Sequence, residues 1–185
     1  MLRSFLALSL VVPAPAATWL VPPKAVVQVI CPMPGGWSAG TAFRVGKYLL
    51  TVNHVTKPGT CEIGGVPVKV LYASPTKDFA ILAGDEGPFI PVDCGGFVQG
   101  KKYLAIGYAR GLPFQTKVEL VATGQKSGQF SILRGVITVI PGQSGGPIVD
   151  ADTGRVVGTV NVYNFEQGWS GSVALADTPI CAAKA

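Results

Sequence analysis

The sequence predicts an all-β protein made of two small antiparallel barrels, and three observations lead there. Its 185 residues include 24 Gly and 15 Pro, the turn residues that many short strands require. Hydrophobic residues make up 48% and charged residues 14%, enough to bury a core and too apolar for a disordered chain. Short β-rich runs recur throughout, and none alternates with a long amphipathic helix, which argues against an α/β fold.

Taken in order, the first runs are AVVQVIC at 25–31, GTAFRV at 40–45, YLLTV at 48–52, CEI at 61–63, VPVKVLYA at 66–73 and FAIL at 79–82. Each is dominated by apolar and β-branched residues, the side chains that fit a pleated surface. A Gly/Pro-rich polar joint follows near 84–101, containing Asp85-Glu86-Gly87-Pro88 and Cys94-Gly95-Gly96. The second series is YLAIGY at 103–108, KVELVAT at 117–123, FSILRGVI at 130–137, PIV at 147–149, VVGTVNV at 156–162 and SVAL at 172–175. Six runs on each side of the joint divide the chain into a first barrel over 17–88, a linker over 89–101, and a second barrel with its tail over 102–185.

Residues 1–16 carry a different signal. Arg3 precedes an apolar run over 5–12, then Pro13 and small residues ending Ala14-Pro15-Ala16. This order is that of a secretory signal peptide, with cleavage expected after Ala16 and a mature start at Ala17. The run is far shorter than the ~20 residues that span a bilayer, so no stable membrane association is expected after cleavage. The chain is therefore expected to be secreted or periplasmic, where its four cysteines, Cys31, Cys61, Cys94 and Cys181, can form two disulfides. Their spacing leaves the pairing open. With a single histidine and no C-x-x-C pair, they form no zinc set of the usual kind, and neither metal nor organic cofactor is called for. The net charge of +5 is scattered, only Lys101 and Lys102 adjoining in a run, so a nucleic-acid-binding arm is not expected.

The chemistry concentrates in PGQSGGPIVD at 141–150. Gly142, Gly145 and Gly146 surround Ser144 with backbone free of Cβ clashes, so the turn can present the hydroxyl sharply. The N–H groups of Gly142 and Ser144 can then converge on a developing oxyanion. A serine needs a base, and the only histidine is His54, at the end of an apolar run. Asp78, at the mouth of another such run, is the acid placed to orient it.

TVNHV, KDFAIL and GQSGGPIVD resemble, in order, the three motif blocks of trypsin-like serine proteases of the chymotrypsin fold. Three further stretches are similar to the same family: residues 38–43 before the histidine, AIGYARG at 105–111, and GRVVG at 154–158. The flavour is that of bacterial HtrA-type and trypsin-2 domains, and no PDZ module is expected. The resemblance spans roughly 25–178 and implies two six-stranded antiparallel Greek-key barrels with the active site in the cleft between them. It implies that Ser144 attacks a peptide carbonyl, His54 relays the proton and Asp78 fixes the histidine. Secreted serine endopeptidase is the expected function, with polypeptide as partner and a monomer as the default state. A polyprotein-processing protease of viral or phage type, or a non-catalytic binding protein on the same scaffold, are the alternatives.

The resemblance also places the S1 pocket floor at Thr138 and its wall at Asn161, Val162 and Tyr163. A threonine floor offers no counter-charge and Tyr163 narrows the mouth, so a small or medium apolar P1 residue is expected. By the same likeness Cys31 pairs with Cys61, leaving Cys94 for Cys181. One departure stands out. Zymogen-type relatives carry an aspartate where this chain has Gln143, and a newly cut N-terminal amine pairs with that acid. A neutral amide forms no such ion pair, so the loop is expected to be ordered by local hydrogen bonds or by substrate.

Overall fold

The structure, a computed structural model, describes residues 21–57 and 59–182 of the chain. The leader expected over 1–16 and the mature start at Ala17 lie outside the described residues. The fold is nearly all strand. β1 (Val26–Met33) and β2 (Gly36–Val45) form a long hairpin, and β3 (Tyr48–Thr51) pairs with β2. A short helical turn, α1 (Asn53–Thr56), leads to β4 (Cys61–Ile63) and β5 (Val66–Val68). β6 (Val70–Ser74) and β7 (Phe79–Ala83) complete a sheet of order β5-β4-β1-β2-β3-β7-β6.

The expected six-stranded first barrel is thus a seven-stranded sheet, and the reason is a bend. β5 and β6 are one run of sequence broken only at Lys69. Its first half pairs with β4 and its second with β7, while the Lys69 carbonyl accepts a 2.8 Å bond from the Ala83 N–H. One bent strand therefore joins both edges of the sheet, closing the ring through the chain itself.

The second half is a closed barrel. Its strands are β8 (Lys102–Gly107), β9 (Thr116–Ser127), β10 (Phe130–Arg134), β11 (Pro147–Asp150), β12 (Val156–Asn164) and β13 (Trp169–Ala174), ordered β10-β13-β12-β11-β8-β9. β10 ends at Arg134, three residues before the expected end at 137. Val136 and Ile137 look like strand residues but stand exposed, in the segment that leaves the sheet toward the serine turn.

Three apolar clusters hold the halves. One fills the first barrel around Val29, Leu49 and Leu82, and another fills the second around Tyr103, Leu120 and Leu133. The third lies between them, packing Phe43, Leu50 and Phe79 with Ile106, Val149 and Leu175. Each such fully buried side chain stabilises by about 1.5–3 kcal/mol relative to exposure. The connection between barrels is stitched to both, by Ile90 N–H to the Arg44 carbonyl at 2.9 Å and Asp93 N–H to the Val156 carbonyl at 2.9 Å.

Cys31–Cys61 staples β1 to β4, and Cys94–Cys181 ties the connection to the C-terminal turn α2 (Pro179–Ala182). Their sequence separations are 30 and 87 residues. Replacing Cys94 and Cys181 together by Ser should cost about 3–5 kcal/mol in urea unfolding, and the equivalent Cys31/Cys61 change somewhat less, because loop entropy grows with length. Equal midpoints for parent and Cys94/Cys181 variant would contradict this.

Candidate active site

β3 and β7 are neighbours, with Thr51 opposite Ala80. The chain leaving β3 and the chain entering β7 therefore emerge at the same end of the sheet. His54 lies in the turn after β3 and Asp78 immediately before β7. The buried side chains of Val52 and Val55 anchor the histidine's turn, leaving its ring 43% exposed. Asp78 has φ +47°, a left-handed conformation that an aspartate tolerates better than most residues. In it, Asp78 Oδ1 accepts the His54 backbone N–H at 2.9 Å, and Oδ1 and Oδ2 lie 3.1 and 2.9 Å from the ring Nδ1. A carboxylate accepts only, so Nδ1 carries the proton and, in the neutral ring, Nε2 keeps its lone pair.

The second barrel grips the same acid. Asn161 sits where the β12–β13 register shifts, a bulge that re-aims a side chain. Its Nδ2 donates to the Asp78 carbonyl at 2.8 Å and to Oδ2 at 3.1 Å. Its Oδ1 accepts from Thr159 Oγ1 at 2.7 Å and the Val173 N–H at 3.0 Å, so the amide cannot swing away without losing both. Burial works to raise the Asp78 pKa, but the bonds and charge of His54, with the Asn161 amide, outweigh it and hold the carboxyl below its ordinary 3.8.

Ser144 lies on the turn before β11. Gly145, at φ +83°, has no room for a side chain: a Cβ there would fall 2.2 Å from Thr51 Oγ1 and 2.3 Å from the Thr41 carbonyl. The Pro141 carbonyl accepts the Arg110 N–H at 2.6 Å and the Gln143 carbonyl accepts the Gly146 N–H at 2.8 Å. In a trans peptide the N–H points opposite to the C=O, so these bonds also fix the Gly142 and Ser144 N–H directions. Among the described residues neither N–H has an acceptor. Two pre-aimed, unused donors flanking a serine suit a developing negative charge.

His54, Asp78, Gly142 and Ser144 line one cleft of about 680 Å³. No hydrogen bond joins Ser144 Oγ to His54 among the described residues. Asn161, Val162 and Tyr163 line the same cleft, whereas Thr138 does not; its neighbour Val139 is buried and bonded to Ser170 Oγ at 3.2 Å. Lining residues that the sequence did not single out for the site include Gln129 and Phe130 at the β9–β10 turn. Phe130 opens a run already read as strand, but which way the strand's first residue faces was not legible. Among the described residues no cluster of His, Cys, Asp and Glu could hold a metal, and no helix is long and apolar enough to cross a membrane.

The profile of the trypsin-like peptidase domain matches residues 39–158, most of the chain and all three blocks around His54, Asp78 and Ser144. The chain belongs to this family. No curated protein sequence matches it. Solved structures share the fold. The serine endoprotease from Yersinia pestis aligns with TM-score 0.69 at 23% identity, over 88% of this chain and 61% of that one. The HtrA-type protease AlgW, solved with a tripeptide, aligns with 0.69 at 23%, over 87% and 58%. The Rv3671c protease from M. tuberculosis, in its active form, aligns with 0.67 at 22%, over 88% and 79%. The peptidase domain thus spans about three fifths of the length of the first two.

The lowered Asp78 pKa has a signed consequence. A carboxyl depressed on folding contributes stability that is present above its unfolded value, near 3.9, and is lost as pH falls through the folded value. Asp78→Asn should therefore flatten the acid limb of the stability–pH curve below about pH 4, measured by urea unfolding at graded pH. Parallel curves for parent and variant in that window would show the carboxylate uncoupled from folding.

Proposed function

We propose that the chain is an exported serine endopeptidase in which Ser144, His54 and Asp78 form the catalytic triad. Ser144 Oγ attacks the scissile carbonyl carbon while His54 Nε2 takes its proton. The resulting oxyanion is held by the Gly142 and Ser144 N–H groups. The C–N bond then breaks as the imidazolium returns the proton to the leaving amine, leaving an ester on Ser144. Water, deprotonated by His54, attacks that ester; the C–Oγ bond breaks as the imidazolium returns the proton to Ser144 Oγ, and the acid leaves. Asp78 keeps the tautomer and stabilises the imidazolium.

The observation that carries this reading is the double contact of Asp78 with the backbone and ring of His54, in the cleft that Ser144 shares. A second hollow of about 540 Å³ shares Ala39, Pro141 and Gly142 with the cleft and continues past Ile30 and Trp37. A groove running on beyond the oxyanion donors suits cleavage within a chain rather than at its end. For P1, the apolar lining of Val162, Tyr163 and Phe130 favours a small or medium apolar residue such as Ala, Val or Leu. Export is supported by the leader-like residues 1–16 and by two disulfides, which persist in oxidising compartments.

A fluorophosphonate should label the folded protein and fail on Ser144→Ala. Asp78→Asn should lower kcat by about 10⁴, the loss that this change brings to a Ser-His-Asp triad. Sequencing the cleaved ends of a peptide library should place Ala, Val or Leu before the cut. Absence of labelling would favour a binding module on the same scaffold, and cleavage strictly after Arg or Lys would remove the P1 assignment.

A further inference from the structure

Gln143 is fully buried, although it is a long polar residue one position from the proposed nucleophile. Both ends of its amide are used. Oε1 accepts the Ile140 N–H at 2.9 Å, and Nε2 donates to Thr116 Oγ1 at 2.9 Å. Thr116 passes its own hydrogen to the Gly107 carbonyl at 2.9 Å. The Gln143 backbone N–H meanwhile donates to the Ile140 carbonyl at 3.1 Å. Residue 143 thus clasps residue 140 twice, by side chain to its N–H and by main chain to its C=O, and ties the closed turn to the start of β9.

We infer that Gln143 is the positioning residue that keeps the oxyanion turn formed before substrate arrives, through a neutral clasp complete within the chain. The inference rests on the endopeptidase reading of the cleft. The relay has one direction: Ile140 N–H needs an acceptor, so Nε2 must face Thr116, whose single hydrogen is then free for Gly107. A carboxylate in place of the amide would break it. With two acceptor oxygens, it would demand the Thr116 hydrogen, strand the Gly107 carbonyl and bury a charge. A protonated carboxyl would restore every bond, its O–H taking the place of the amide N–H.

Among the described residues, the amide of Gln143 meets the Ile140 N–H and the Thr116 hydroxyl, and neither group titrates in the working range. Tyr108, beside Gly107, hydrogen-bonds the Val26 carbonyl, and Arg110 is exposed. Lys117 and Glu119 are exposed on β9, alternating with Thr116 and the buried Val118 and Leu120. His54 and Asp78 face Ser144 across the cleft. Comparing variant with parent at each pH cancels the titration these groups share.

The test is a pair of variants assayed on one peptide substrate from pH 5 to 9. Gln143→Glu should fall at least about tenfold below the parent in kcat at pH 8, the order expected when oxyanion donors lose their aim. It should return toward the parent as pH drops and the carboxyl is protonated. Gln143→Met, which removes the clasp, should lower kcat with little change in KM and no pH-dependent recovery. A variant-to-parent ratio for Gln143→Glu that is flat with pH, or full kcat in folded Gln143→Met, overturns the inference. Amide hydrogen exchange at Ile140 supplies a readout without turnover: slow in the parent and fast in Gln143→Met supports the clasp, and fast in both overturns it. A parent that resists fluorophosphonate defeats the endopeptidase reading instead, and Ile140 exchange then decides the clasp alone.

Discussion

The site hangs on Thr41. This fully buried residue of β2 is where the first barrel holds the serine turn of the second. Its N–H donates to the Ser144 carbonyl at 2.8 Å and its Oγ1 to the Gly142 carbonyl at 2.8 Å. The same oxygen accepts the Tyr108 N–H at 3.0 Å, and the Thr41 carbonyl accepts Thr51 Oγ1 at 2.8 Å. One side chain and its peptide groups therefore join β2, β3, the end of β8 and the turn. Buried groups this fully paired are costly to break, because each freed donor or acceptor would be left without water. The relative placement of Ser144 and His54 follows from this junction, since Thr51 begins the short path to His54.

The acid is fastened by the complementary device. Asp78 belongs to the first barrel by sequence but is held by Asn161 of the second. A left-handed aspartate is less favourable than extended backbone, and its persistence requires surroundings that over-determine it. Here they are the His54 N–H, the His54 ring and the Asn161 amide, acting on one carboxylate and its carbonyl. Thr41 reaches from the first barrel to the serine turn and Asn161 from the second to the acid. The barrels cannot slide without loosening both ends of the site, and the apolar cluster between them resists that slide.

These two clasps also explain what the sequence disclosed and what it hid. Local grammar was legible: glycines around Ser144 announce a turn with no space for Cβ, and apolar runs ending at His54 and starting at Asp78 announce strand ends. The two-part β architecture was legible for the same reason, because turns and alternation act over a few residues. The bend at Lys69 was not, since Val66 to Ser74 reads as one strand and only its partners on opposite sheet edges divide it. Nor was the role of Asn161, read as pocket wall alone. Its bond to Asp78 spans 83 residues, and the bulge that aims it is a matter of register. Phe130 was hidden likewise, because a sequence states that a residue is apolar and leaves open which cavity it faces.

Gln143 joins the two kinds of information. The missing acid was visible in the sequence, but what replaces it is a set of contacts at separations of 3 and 27 residues. A charged latch in that position would need a counter-charge brought to a buried place, and the turn would be ordered only while that partner stayed bound. The amide needs nothing beyond Ile140, Thr116 and Gly107, all carried by the turn and the strands beneath it. Its two hydrogen bonds are weaker than an ion pair, but it has no protonation state to lose in the working range and no charge to desolvate. A turn stabilised in this way takes its order from the packed barrel, so the free energy that aims the Gly142 and Ser144 N–H groups is supplied at folding rather than by a later cut.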